Sequence, residues 1–175
     1  VSLQSFVTTS IHFHWFSYLT DIGVSSGASV VSLSLSPLIS MPVSVLAGFI
    51  AERVPVQKLM ALSYYLMAGS IALFLFADNA MLAYAFGICF GIATGILFTV
   101  MNVIWADYFG RDSIGAIRGM VSPAHMLSNS LGPLTAAASF DITGSYKLIF
   151  IVSAILSAIG GTLTILARTP NHQPG

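Results

Sequence analysis

The chain has 175 residues and no net charge, with 7% of its residues charged, 56% hydrophobic and a mean hydropathy of +0.90. That composition does not suit a water-exposed surface and indicates an integral membrane protein, while the zero net charge offers neither a basic footprint for nucleic acid nor an acidic face for a cationic partner. The single cysteine, Cys89, lies inside an apolar run and supplies neither a disulfide framework nor a metal cluster.

The sequence opens on Val1 with no positively charged flank before its first apolar residues, the pattern of a cut end and not of a removable signal peptide. A helix needs roughly 20 mainly apolar residues to cross the hydrocarbon core of a bilayer. Six such spans are predicted. The first, about Ser2 to Thr20, is interrupted by Gln4, Thr8, Thr9, Ser10, His12 and His14, so it requires protein neighbours or water along one side. The second covers about Gly27 to Ile50, the third Val56 to Ala77, the fourth Met81 to Ala106, the fifth Ile117 to Phe140 and the sixth Tyr146 to Leu166. No Asp, Glu, Lys or Arg stands near the centre of any of them. The prediction is an all-α membrane protein of six transmembrane helices over residues 1–168, with a polar tail at 169–175.

The connections alternate in charge. Arg53 and Lys58 in one loop, Arg111 and Arg118 in another, and Arg168 at the tail face Lys147 alone on the opposite side. By the positive-inside rule the richer side is cytoplasmic, which places both chain ends there. Asp21, Asp78 and Asp141 mark the outer loops; Trp15, Tyr18, Tyr84 and Tyr146 near the outer ends, and Trp105 and Tyr108 near an inner end, fit interfacial anchoring.

Within the fourth span Gly87, Gly91 and Gly95 recur every fourth residue on one helical face, a pattern that lets another backbone approach closely. Pro37 and Pro42 in the second span, and Pro123 and Pro133 in the fifth, each remove a helix hydrogen bond and invite a kink, as in helices that move or line a cavity.

Between the second and third spans lies the charged hinge Gly48 to Lys58, GFIAERVPVQK. Its Gly48, Glu52 and Arg53 fit the spacing G-x-x-x-[D/E]-R, and the hinge resembles the cytoplasmic signature loop of the major facilitator superfamily, in the copy found in the C-terminal half. The full pattern continues with a glycine and two basic residues, where this chain has Pro55, Val56 and Gln57, with Lys58 just beyond. Asp107 to Gly119, DYFGRDSIGAIRG, is similar to that half's loop between its fourth and fifth helices. Asp141 to Phe150, DITGSYKLIF, resembles its outer turn before the last helix, and Tyr18 to Ser25, YLTDIGVS, its first outer loop. The D-x-T-G-x-Y turn also resembles the monocarboxylate and oxalate/formate branches, although those branches use cationic residues inside the membrane in this half and none stands inside a span here.

The resemblance implies a twelve-helix transporter of two six-helix bundles working by alternating access. This chain would supply the second bundle, as two inverted three-helix repeats, and the N-terminal bundle would be its partner. Glu52, Arg53, Lys58, Arg111 and Arg118 would then belong to the loops that make and break charge pairs as the bundles rock, with Gly48 admitting close packing at the helix end.

In this family the first, second, fourth and fifth helices of each half face the central cavity, so polar residues in those spans are the candidate substrate contacts. His125 and Asn129 are four apart on one face of the fifth span, with Ser122 on the same stripe, roughly mid-membrane at about 1.5 Å per residue. Asn102 lies nearer the inner end beside Trp105. His12 and His14 flank Phe13 and point in different directions, so at most one faces the cavity. A histidine among these residues also offers proton coupling. A buried Asn or His more often bonds a neighbouring helix than a ligand, Asn102 beside Trp105 above all.

Two other classes remain at this level: a free-standing six-helix protein that pairs with other membrane chains, and a haem or metal protein using His12 or His14 with His125 as ligands. Against the second, no cysteine, carboxylate or supporting group stands beside the histidines. GRDSIG and GIATG follow no strand and do not form nucleotide loops, so no cofactor or ATP hydrolysis is expected and a solute or ion gradient would drive transport.

Overall fold

The computed structural model describes residues 2–109 and 114–167; Arg111, Arg168 and the tail lie outside the described residues, as do the side chains of Trp105 and Tyr108. Six helices follow one another: α1 (Ser2–Asp21), α2 (Ser26–Ala51), α3 (Val56–Leu75), α4 (Ala80–Phe109), α5 (Ile114–Thr143) and α6 (Lys147–Leu166). No strand occurs among the described residues. By length and apolarity four of them, α2, α3, α4 and α6, are able to cross a membrane, and the protein is a multi-pass membrane protein on that ground. The other two, α1 and α5, are the helices interrupted by polar residues.

The main departure from the expected boundaries is α5, which starts at Ile114 and runs to Thr143 rather than covering only the apolar Ile117 to Phe140. Apolarity marks where a helix meets lipid; the hydrogen-bonded backbone continues until something stops it. Here the stop is Gly144, whose φ of +67° places it in the left-handed region while its N–H donates to Phe140 O at 2.7 Å. Asp141 therefore sits in the last turn of α5. Side chains start two other helices: Ser25 Oγ accepts from Ala28 N (3.3 Å) at α2, and Asn79 Oδ1 accepts from Leu82 N (3.0 Å) at α4. Both α2 and α5 remain helical through their internal prolines.

The dominant helix pairings are α2 with α4, α1 with α5, and α3 with α6, with α3 also packed on α4. The first is a seam of small residues. Gly87, Gly91 and Gly95 lie against the carbonyls of Ser32, Ser36 and Ser40; a Cβ on Gly91 would fall 2.7 Å from Ser36 O and 3.0 Å from Ile39 Cβ. Numbers rise together on the two sides, so α2 and α4 run parallel. Ser32 Oγ donates to Ala83 O at one end of the seam, and Thr99 Oγ1 donates to Ser44 O (2.8 Å) toward the other.

The side chains that α2 buries are small: Ala28, Ser29, Ser32, Ser36 and Ala47. Its large apolar residues Leu38, Met41, Val45 and Phe49 point outward. Helices in lipid have no hydrophobic reason to bury leucine against one another, so close backbone contact over small residues sets the inside of the pair. The α3–α6 pair is antiparallel, with Gly160 and Gly161 against the rings of Tyr64 and Tyr65, Tyr65 Oη 3.0 Å from Thr162 Oγ1, and Gln57 Nε2 donating to Ala167 O at 2.9 Å.

Candidate functional site

The bundle is closed at the end that carries Asp21, Asp78 and Asp141. There Trp15, fully buried, packs on Phe86, Phe90 and Phe74 with ring centroids 4.3, 5.2 and 5.9 Å away, and its Nε1 donates to Ser32 Oγ at 3.3 Å. Tyr18 and Phe150 extend this aromatic core across to α6.

Toward the opposite end, which carries Arg53, the three helices α1, α4 and α5 do not close on one another. A cavity of about 380 Å³ lies between them. Its α1 wall is Gln4, Ser5, Thr8 and Thr9, two pairs at four-residue spacing and hence one helical face. Thr94, Phe98 and Asn102 stand on the α4 side, and His125 and Asn129 on the α5 side. Among the described residues that line it, none is Asp, Glu, Lys or Arg.

Most of the wall's polar side chains have hydrogen-bond partners. Ser5 Oγ is 2.8 Å from His125 Nδ1, which ties α1 to α5 and sets the ring's orientation. Thr9 Oγ1 donates to Ser5 O (2.7 Å), and Thr94 Oγ1 to Phe90 O (2.9 Å). Asn102 Nδ2 donates to Phe98 O (2.8 Å) while its Oδ1 accepts from Arg118 Nη2 (2.9 Å), so a guanidinium at the start of α5 is tied back to α4. Gln4 differs: the residue is 2% exposed, and neither Oε1 nor Nε2 has a hydrogen-bond partner. Thr8 Oγ1 is likewise enclosed without one.

Of the candidate contacts, His125, Asn129 and Asn102 come together on this cavity and Ser122, His12 and His14 do not. Ser122 is half-buried one turn away on α5. His12 is exposed, edge-on to Trp15 at 6.2 Å between centroids. His14 has Nε2 3.1 Å from Pro133 O and its ring 4.8 Å from that of Tyr146, a contact that joins α1, α5 and α6 near the closed end. The two histidines lie further along α1 than the cavity wall reaches. Gly48, Glu52, Arg53 and Lys58 sit at the α2–α3 turn, where the three charged residues are exposed; a Cβ on Gly48 would meet Thr99 Cγ2 at 4.0 Å. Among the described residues no three His, Cys, Asp or Glu side chains converge as metal ligands.

Gln4, Ser5, Thr8, Thr9, Thr94 and Phe98 were not among the candidates read from the sequence. For the α1 residues the signal was present as a four-residue spacing, the same argument that singled out His125 with Asn129. Along the sequence Gln4, Thr8 and Thr9 stand out only as interruptions of a span.

No curated protein matches the chain in sequence. A family model does, and its match covers residues 2–175. Six helices, apolar faces turned outward and a cavity between α1, α4 and α5 that carries several polar side chains agree with that match: the chain belongs to the Major Facilitator Superfamily, whose members carry solutes across membranes.

Proposed function

We propose that this chain is the C-terminal six-helix half of a gradient-driven transporter, that it contributes half of a central cavity, and that it works by alternating access against an N-terminal half. The observation that carries the reading is the cavity bounded by α1, α4 and α5, with the polar side chains of His125, Asn129 and Asn102 on its walls. All six helices span the membrane in this reading. The polar α1 and α5 do so because their polar faces meet each other and the cavity rather than lipid.

Two further features support it. One pair of packings exchanges the first three helices with the last three, α1 on α5 answering α4 on α2, as inverted three-helix repeats would give. The exposed Leu38, Met41 and Val45 of α2, and Met126, Leu127 and Leu131 of α5, give a facing bundle and lipid an apolar surface to cover. With Arg53, Lys58 and Arg118 at one end, that end faces the cytoplasm and the cavity lies on the cytoplasmic side. The exposed Glu52 and Arg53 then stand where the loops of the other half meet them. The D-x-T-G-x-Y turn at Asp141 to Tyr146 is the ground for a relation to the monocarboxylate and oxalate/formate branches.

In the complete protein, His125→Ala and Asn129→Ala are expected to lower uptake about 10-fold or more while leaving membrane insertion intact, since each removes a polar group from the cavity and no apolar contact with lipid. Unchanged uptake kinetics in both variants would remove these residues from the site. The mass of the native polypeptide in a membrane extract tests the half-bundle reading separately: a band near twice 18.5 kDa is expected, and a band at 18.5 kDa would point to a free-standing six-helix protein.

A further inference from the structure

We propose that Gln4 and Thr8 are the residues with which this half reads the solute, and that the portion of the solute they read is uncharged and carries a hydrogen-bond donor beside an acceptor. The inference rests on the transport reading above and names its substrate class.

Three observations on one cavity lead there. Gln4 is 98% enclosed, yet both polar atoms of its carboxamide lack a partner, and Thr8 Oγ1 beside it lacks one too. A buried amide without a partner is strongly unfavourable, and more so at membrane depth, so a fold that keeps one has a use for it. Most of the neighbouring polar groups are occupied, Ser5 with His125, Thr9 and Thr94 with helix carbonyls, and Asn102 with Phe98 O and Arg118; Asn129 across the cavity on α5 is the exception. Gln4 and Thr8 are thus the part of the α1 wall with unused hydrogen-bonding capacity. They are four residues apart, on one face of α1, and both border the cavity.

The chemistry of the pair sets the class. A carboxamide offers an acceptor and a donor in one plane and does not ionise, and a threonine hydroxyl adds a rotatable donor or acceptor. Together they complement a primary amide or a pair of adjacent hydroxyls. Among the described lining residues there is no Lys or Arg to balance a carboxylate, and a charged group enclosed without a counter-charge is far less favourable than a neutral one. Gln4 belongs to the wall, and its enclosed amide must turn toward the cavity when solute enters. A site built on hydrogen bonds of this kind also rejects analogues that lack them, because its own groups are then left unpaired.

The test is uptake by cells expressing the full-length transporter, supplied with isotope-labelled neutral and anionic partners on the same skeleton: lactamide with lactate, nicotinamide with nicotinate, glycerol with glycerate. The neutral member of at least one pair is expected to enter in a transporter-dependent manner, and Gln4→Leu or Thr8→Val to raise its KM about 10-fold or more. Both variants should melt at the same temperature as the parent protein or higher, since each replaces an unpartnered buried polar group with an apolar one. A preference for the anionic members, an unchanged KM in both variants, or a lowered melting temperature for Gln4→Leu would overturn the inference. If no panel member enters while mass spectrometry of the medium shows transporter-dependent uptake of another solute, the assigned class fails and transport stands. If no solute moves at all, the transport reading itself fails, and the inference with it.

Discussion

Gly91→Leu is expected to leave little or no stably folded bundle, because it acts where two backbones touch. Even the first atom of a side chain at Gly91 falls 2.7 Å from Ser36 O and 3.0 Å from Ile39 Cβ, and the neighbours at Gly95 are as close. The obstructing atoms are backbone and Cβ, which rotamer changes do not move. Relief requires α2 and α4 to separate along the seam, which loses the close contact that holds them and strains the Ser32–Ala83 and Thr99–Ser44 bonds. An expected loss of about 3 kcal/mol or more follows from overpacking at a rigid contact. The control is Gly69→Leu on α3, where a Cβ meets no atom within 4 Å. Thermal melting of the full-length protein in detergent, with the recovery of monodisperse protein, separates the two. Equal melting temperatures for both variants would show that the seam is not as tight as described.

Trp15→Ala is expected to destabilise the closed end by about 3 kcal/mol, mainly through the void it leaves. Trp15 has no exposed surface, and its ring is packed on by Phe74, Phe86 and Phe90 from two other helices. Because the surroundings are themselves in a membrane, transfer from water contributes little; lost van der Waals contact across the cavity dominates. Trp15→Phe keeps most of that contact and removes the Nε1 donation to Ser32 Oγ, so about 1 kcal/mol is expected for it. The ordering of the two variants in a denaturation series is the check. A Trp15→Phe effect as large as that of Trp15→Ala would move the weight from packing to the hydrogen bond.

Helix number and order were legible in the sequence because long apolar runs and charged turns leave few alternatives. Legibility declined where a helix is only partly apolar. The interruptions in α1 and α5 showed that those helices need polar surroundings, and the structure supplies them by pairing the two helices and placing the cavity on their polar faces. The spacing of His125 and Asn129 gave a shared face, and the structure adds that Asn102 and the α1 stripe stand on the same cavity. What spacing did not give is the partner of each face. Gly87, Gly91 and Gly95 indicated a close neighbour but not which one; its match, Ser32, Ser36, Ser40 and Ser44, has the same four-residue repeat in α2 and was hidden among that span's other serines and leucines. His12 and His14 show the converse. Their chemistry attracted notice, but a helical step of 1.5 Å per residue carries them beyond the cavity wall, one exposed and the other against Pro133.

The parallel seam has a consequence for how the protein is made. Residues that face each other across it are 55 positions apart, as at Ser44 and Thr99. At a synthesis rate of about 5–20 residues per second, α2 therefore enters the bilayer roughly 3–11 seconds before its matching surface exists. During that interval the hydroxyls on its serine stripe can be satisfied within the helix itself, as Ser40 to Pro37 O and Ser44 to Met41 O still are in the finished protein. A nascent chain released or cleaved before α4 emerges would hold a helix whose groove is unfilled, so the packing of α2 is settled only once α4 has been made.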